Sequence, residues 1–117
     1  MSEIAILKLR GVLLVSIPSD PDDILINELQ EEVLNELQLR KAKGVILDLS
    51  TVDIVDSFFA RTIIDTMQMI NLMGGRTILV GMLPSVAITA TQLGLAFENI
   101  ETSLDVDTAF LRLQGEG

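Results

Sequence analysis

The 117-residue chain has no cysteine, histidine, tryptophan or tyrosine. Without cysteine there is no disulfide, no thiol nucleophile and no thiolate metal site. Without histidine the commonest general base and metal ligand is missing as well. Cations are scarce: eight Lys and Arg stand against seventeen Asp and Glu, a formal net charge of −9. That balance argues against non-specific binding to nucleic acid or to an anionic membrane, because both need cations to neutralise phosphate. The one basic group, Arg40, Lys41 and Lys43, reads as a helix end rather than a binding patch. No apolar run approaches the ~20 residues that cross a bilayer. Met1 to Ala5 is short and acidic, unlike a secretory leader. The expectation is a cytoplasmic protein that needs no metal and no cofactor.

What is present is aliphatic. The sequence is 49% hydrophobic and 21% charged, enough apolar residues for a packed core and too few charges for disorder. Its length fits one domain, taken as residues 1–117. Ala5–Leu9 and Val12–Ile17 read as strands around a turn at Arg10-Gly11. Asp20 is the expected cap of a first helix, with Pro21 at its first position. Ile26, Leu29, Val33 and Leu37 recur at helical spacing, and Gly44 is the expected stop. Val45–Leu49 is nearly all apolar, as in a strand buried on both faces.

The second half repeats the alternation. A helix is expected from Ser57 to Met73, with Phe59, Ile63, Met67 and Ile70 inward and Met67, Met69 and Met73 as core filler. Thr77–Val80 is a strand, Pro84–Leu93 a short helix before Gly94, and Asn99–Thr102 a last short strand. Ser103 is the expected cap of a final helix with Val106, Ala109, Phe110 and Leu113 inward, followed by a loose tail, Gln114–Gly117. The order β-β-α-β-α-β-α-β-α implies an α/β fold with a mixed, mostly parallel sheet and about four helices.

Catalytic motifs are missing. There is no GxGxxG or P-loop pattern, and no recognisable acid–base constellation among the carboxylates. In open α/β sheets, ligands and switches gather beyond the carboxyl ends of strands. The richest such segment here runs from Asp48 through Asp53 and Asp56 to Ser57, Phe58 and Phe59. Asp48 as a phosphoacceptor would need an acidic pair for Mg²⁺ and a later lysine, and both are lacking. Ser57 reads as an N-cap accepting from the backbone of Ala60. It is also placed where a phosphate is well received, at a helix start with free N–H groups. Phosphorylation would add about −1.5 to −2 charge beside Asp53 and Asp56. Arg61, one turn on, either approaches that phosphate or pairs with Asp65 at i,i+4.

The element order and the run Val45-Ile-Leu-Asp-Leu-Ser-Thr-Val-Asp-Ile-Val-Asp-Ser57 resemble the STAS domain of anti-sigma-factor antagonists. In that family a serine or threonine after an aspartate, at the start of the second helix, is phosphorylated by a partner kinase, and Asp56-Ser57 matches the pair. The commonest antagonist pattern continues with Ser, Gly and Leu, where this chain has Phe58, Phe59 and Ala60. The bulky pair resembles the stressosome scaffold branch of the family. The resemblance implies a non-enzymatic scaffold and phosphorylation switch in a stress-signalling complex. It implies an RsbT-type switch kinase released on phosphorylation of Ser57, RsbR-type STAS paralogues, a reset phosphatase, and a homodimer or larger assembly. Asp53, Asp56, Phe58, Phe59 and Arg61 would form the partner surface around the switch. The alternatives are a soluble antagonist that binds an anti-sigma kinase directly, or a ligand-binding STAS module.

Overall fold

The computed structural model describes residues 5–53, 56–94 and 100–115. Strands β1 (Ala5–Leu9) and β2 (Val12–Ser16) form an antiparallel hairpin in which Leu9 pairs with Val12. The connecting residues Arg10 and Gly11 have φ of 49° and 80°. A two-residue turn of this kind needs both residues left-handed, which glycine tolerates freely and arginine at some cost. The chain continues through α1 (Asp23–Arg40), β3 (Gly44–Asp48), α2 (Ser57–Leu72), β4 (Arg76–Val80), α3 (Pro84–Gln92), β5 (Glu101–Ser103) and α4 (Val106–Leu113). The sheet order is β1-β2-β3-β4-β5, and β2 to β5 run parallel. The expected mixed, mostly parallel α/β architecture with four helices is what the described residues form.

Two apolar clusters explain how the sheet is covered. On one face Leu13, Val15, Val45, Leu47 and Leu79 pack with Ile26, Leu29, Val33 and Leu37 of α1 and with Phe59, Ile63, Met67 and Ile70 of α2. On the other face Val12, Ile46, Ile78 and Val80 pack with Ala109 and Leu113 of α4. β3 lies between both, which is why its sequence is apolar at successive positions and not alternating. Val86 and Ala90 of α3 face Phe59, Ile63 and Leu79 across a small apolar gap. α1 and α2 are also joined by a polar contact under the apolar layer: Gln30 Nε2 donates to Thr66 Oγ1 at 2.9 Å, and that hydroxyl donates to the Thr62 carbonyl at 2.7 Å.

Several expected element ends move. α1 is capped by Asp22, whose carboxylate accepts from the Leu25 N–H at 2.8 Å, and not by Asp20. Pro21 therefore precedes the helix. Three acids within four residues, Asp20, Asp22 and Asp23, offer nearly equal caps, so the packing of Ile26 and Leu29 decides the start. α1 ends at Lys41, left-handed at φ 50°, and not at Gly44, which opens β3. Gly44 is required for another reason: a Cβ there would stand 2.8 Å from Leu113 Cδ2 and 3.0 Å from the Arg76 carbonyl. Met67 is core, but Met69 and Met73 are 38% and 45% exposed, because they lie around the helix from the Ile63–Met67–Ile70 stripe. α4 is capped by Asp105 and not by Ser103, which belongs to β5. The Thr108 backbone N–H holds the Asp105 carboxyl below the usual carboxylate range. Of the expected last strand, Asn99 lies outside the described residues, as do Glu116 and Gly117 of the expected tail.

The short strand β5 is fastened by charge. Glu101 receives Arg76 Nε at 2.6 Å and Arg112 Nη2 at 2.9 Å, tying β4, β5 and α4 together. The hydrogen bond from Arg76 is the main cause that holds the Glu101 carboxyl below its ordinary value.

Candidate functional site

The site begins where β3 ends, at the carboxyl edge of the parallel strands. Asp48 Oδ1 accepts from the Ser50 N–H at 2.9 Å, so the carboxylate organises a turn. Thr51 Oγ1 donates to the Ile17 carbonyl at 2.9 Å, and Val52 is fully buried with its N–H on the Leu49 carbonyl. These contacts fasten the start of the loop to β2 and β3. Asp53 is exposed beyond them.

The expected N-cap is displaced by one residue. Asp56, not Ser57, has the extended backbone of a cap, and its Oδ1 accepts from the Phe59 N–H at 2.8 Å. The Asp56 carbonyl takes the Ala60 N–H at 3.1 Å. Ser57 is the first helical residue and is exposed. Its hydroxyl makes no hydrogen bond to any other described residue. The physical reason for the shift is simple: two adjacent residues can cap, and the carboxylate at 56 reaches the orphan N–H of the third helical residue.

The two phenylalanines part at the helix surface. Phe59 is 5% exposed and belongs to the core with Ile63 and Met67, whereas Phe58 is 40% exposed. Arg61 is exposed, and it forms no ion pair with half-buried Asp65. The expected i,i+4 pair is absent; a cation placed before an acid is the weaker order for such a pair.

A shallow groove of about 580 Å³ opens beside Ser57. Ser57, Phe58, Arg61, Thr62, Asp65 and Met69 of α2 line it, with Asn27 and Gln30 of α1 and Leu93 after α3. The sequence reading brought Ser57, Phe58 and Arg61 together and missed the α1 contribution. Nothing in the sequence singles these two out, since α1 also carries Asn35 and Gln38, which do not line this groove. Among the described residues no group of three or more acids, histidines or cysteines is placed to hold a metal ion, and no helix is long and apolar enough to cross a membrane. The arrangement offers an exposed hydroxyl, a mixed polar and apolar rim, and a fixed helix end.

Comparison with known proteins matches residues 3–109 to the STAS domain family. The RsbT co-antagonist protein RsbRB of Bacillus subtilis (strain 168) is 33% identical over 91 residues, which cover 78% of this chain and 33% of that protein. The chain spans about a third of the length of the RsbT co-antagonist proteins it matches. Moorella thermoacetica RsbS, solved with one serine changed to glutamate, superposes with a TM-score of 0.86 and 30% identity over 97% of each chain. A chain from the molecular architecture of the stressosome, a signal integration and transduction hub, gives 0.81 and 30% identity over 95% of this chain and 96% of its own.

Proposed function

The chain belongs to the STAS-domain family, among the stressosome and anti-sigma-factor antagonist proteins, and on that footing we propose that it is a cytoplasmic, non-enzymatic scaffold whose Ser57 is a phosphorylation switch. In this reading the chain assembles with RsbR-type STAS paralogues and holds an RsbT-type serine kinase on the surface around Ser57. The kinase phosphorylates Ser57 and leaves, and a phosphatase resets it. The likeness to RsbT co-antagonist proteins supports the choice of kinase class.

One observation carries the switch: Asp56 supplies the cap, and the Ser57 hydroxyl bonds to no other described residue and stands exposed in the first turn. A phosphate there gains from the positive helix end. It adds negative charge next to Asp53 and Asp56 while the helix stays formed. Phe58 and Arg61 then belong to the contact surface, and Phe59 supports it from inside.

The test is incubation with an RsbT-type kinase and ATP, then mass spectrometry. Phosphate is expected on Ser57 and is lost in Ser57→Ala. Ser57→Asp is expected to keep the fold, since an acid suits a first helical turn, and to weaken kinase binding at least tenfold. Because exposed charges are screened by salt, that loss should shrink in high salt if charge is the cause. Phosphate on another residue, or full kinase binding by Ser57→Asp, would refute the switch.

A further inference from the structure

The cations of this chain are not spread evenly over it. The hairpin turn carries Arg10, and Lys8 of β1 donates to the Arg40 carbonyl at 3.3 Å. Arg40 and Lys41 close α1, Lys43 stands just before β3, Arg76 opens β4, and Arg112 lies in the last turn of α4. Seven of the eight Lys and Arg therefore sit at the end of the domain where the parallel strands begin. Arg61 is the eighth. It lies in the second turn of α2, at the opposite end, where the strands finish and Asp48, Asp53 and Asp56 gather.

Among the described residues Arg61 forms no ion pair. Of those that line the groove beside Ser57, it is the one cation and Asp65 the one acid. Across the groove α1 presents Asn27 and Gln30, both uncharged, and the Gln30 amide already donates to Thr66. Helix geometry sets the direction in which the arginine reaches. Side chains lean toward the N-terminus of their helix, over the preceding turn. That lean carries Arg61 away from Asp65 and toward Ser57, its neighbour four residues back on the same groove wall.

We propose that Arg61 clamps the phosphate of phosphorylated Ser57, so that phosphorylation withdraws the groove's one cation from the partner as well as adding negative charge. The clamp rests on the phosphorylation switch proposed above and deepens it. Transfer of the γ-phosphoryl group of ATP forms the Ser57 Oγ–P bond, breaks the bond from that phosphorus to the leaving ADP, and gives the hydroxyl proton to the kinase. The product carries about −1.5 to −2 charge and three acceptor oxygens. A guanidinium presents paired N–H donors that match two such oxygens. An anion four residues before a cation is also the favourable order for a helical pair, whereas Arg61 before Asp65 is the weaker one.

The clamp doubles the change that a partner meets. Before phosphorylation Ser57 is neutral, and exposed Arg61 offers a positive charge at an otherwise acidic end of the domain. Afterwards the guanidinium is held by the phosphate. The partner loses an attraction and meets a repulsion at neighbouring points. The helix itself need not move: Asp56 still accepts from the Phe59 N–H, Phe59 stays in the core, and only the exposed Arg61 side chain changes rotamer. An aspartate at position 57 carries its charge on a shorter side chain than phosphoserine does. Ser57→Asp therefore reproduces the added charge better than the lost cation, and weakens a partner less than the phosphate does.

The experiment uses the whole chain with phosphoserine installed at position 57 during synthesis, so that it depends on no kinase. Titration followed by phosphorus NMR gives the second pKa of the phosphate, about 6 in an ordinary phosphoserine. Asp53, Asp56 and Asp65 raise it, and Arg61 lowers it, because a nearby cation favours the dianion. With Arg61→Gln the titration should move up by about 0.2–0.4 pH units, the equivalent of an exposed i,i+4 ion pair. Arg61→Lys should keep most of the wild-type shift, Asn27→Ala should leave it unchanged, and salt at about 1 M should shrink the difference. Circular dichroism checks that each variant is folded. Equal values in wild type and Arg61→Gln would overturn the clamp and leave the switch standing, as would an upward move with Asn27→Ala in place of Arg61→Gln. Failure of the kinase to modify Ser57 in the assay above would instead remove the switch on which the clamp depends.

Discussion

Asp56 and Ser57 are adjacent, both are good capping residues, and it is Asp56 that caps the helix. Replacing Asp56 with Ala removes the 2.8 Å hydrogen bond to the Phe59 N–H. It leaves that donor without a side-chain partner at the start of a helix whose third residue is in the core. Loss of such a cap costs about 0.5–2 kcal/mol. For a domain of this size 1 kcal/mol corresponds to about 3–5 °C in Tm. Ser57→Ala removes a hydroxyl that bonds to no described residue. Alanine is also the better helix former, so the change should fall within about 0.5 kcal/mol of zero. The assay is urea unfolding of wild type, Asp56→Ala, Asp56→Asn and Ser57→Ala at pH 7, followed by helix ellipticity. Asp56→Asn should retain most of the stability, because an amide oxygen caps nearly as well. Equal destabilisation by Ser57→Ala and Asp56→Ala would refute the assignment. It would return the serine to the capping role that spacing alone suggests.

Thr77 Oγ1 is buried and has no hydrogen-bond partner among the described residues, so Thr77→Val should raise stability by about 1 kcal/mol in urea titration. Gly44→Ala should destabilise by about 1–3 kcal/mol, because the new methyl meets Leu113 and the Arg76 carbonyl; the change in Tm measures it. The Glu101 carboxyl is held below its ordinary value chiefly by Arg76. Its contribution is therefore complete above the unfolded value of about 4.3 and is lost as pH falls through the lower folded value. Urea midpoints of wild type and Glu101→Gln should differ at pH 7 and converge only as pH falls below that lowered folded value.

Periodicity was legible where one face of an element meets the core. Ile26, Leu29, Val33 and Leu37 are read from spacing alone, and all are buried. The continuous apolar run in β3 announces a strand covered on both faces, and the two clusters meet there. Helix ends were less legible, because several neighbouring residues satisfy the same local rule. Asp20 and Asp22, Ser103 and Asp105, and Ser57 and Asp56 all offer a side-chain oxygen near the right place. The winner depends on how the helix seats against the sheet, a tertiary term that local propensity does not contain. Met69 and Met73 fail for a related reason: an apolar residue type does not specify its direction around the helix axis.

The candidate site was legible as a segment and not as a surface. The run from Asp48 to Ser57 stands out because strand, polar loop and helix start succeed one another. Its partner residues Asn27 and Gln30 come from another helix, thirty positions upstream, and only the parallel packing of α1 beside α2 brings them to the same groove. The one-residue error in the cap matters most for mechanism. A serine that capped α2 would couple any modification to fraying of the helix, so that charge and unfolding acted together. With Asp56 as the cap, the two are separable: the carboxylate fixes Phe59 and the core beneath, and in the proposed switch a phosphate on the neighbouring hydroxyl would change only the charge of the surface above. A switch of that kind alters what a partner meets without altering what holds the domain together.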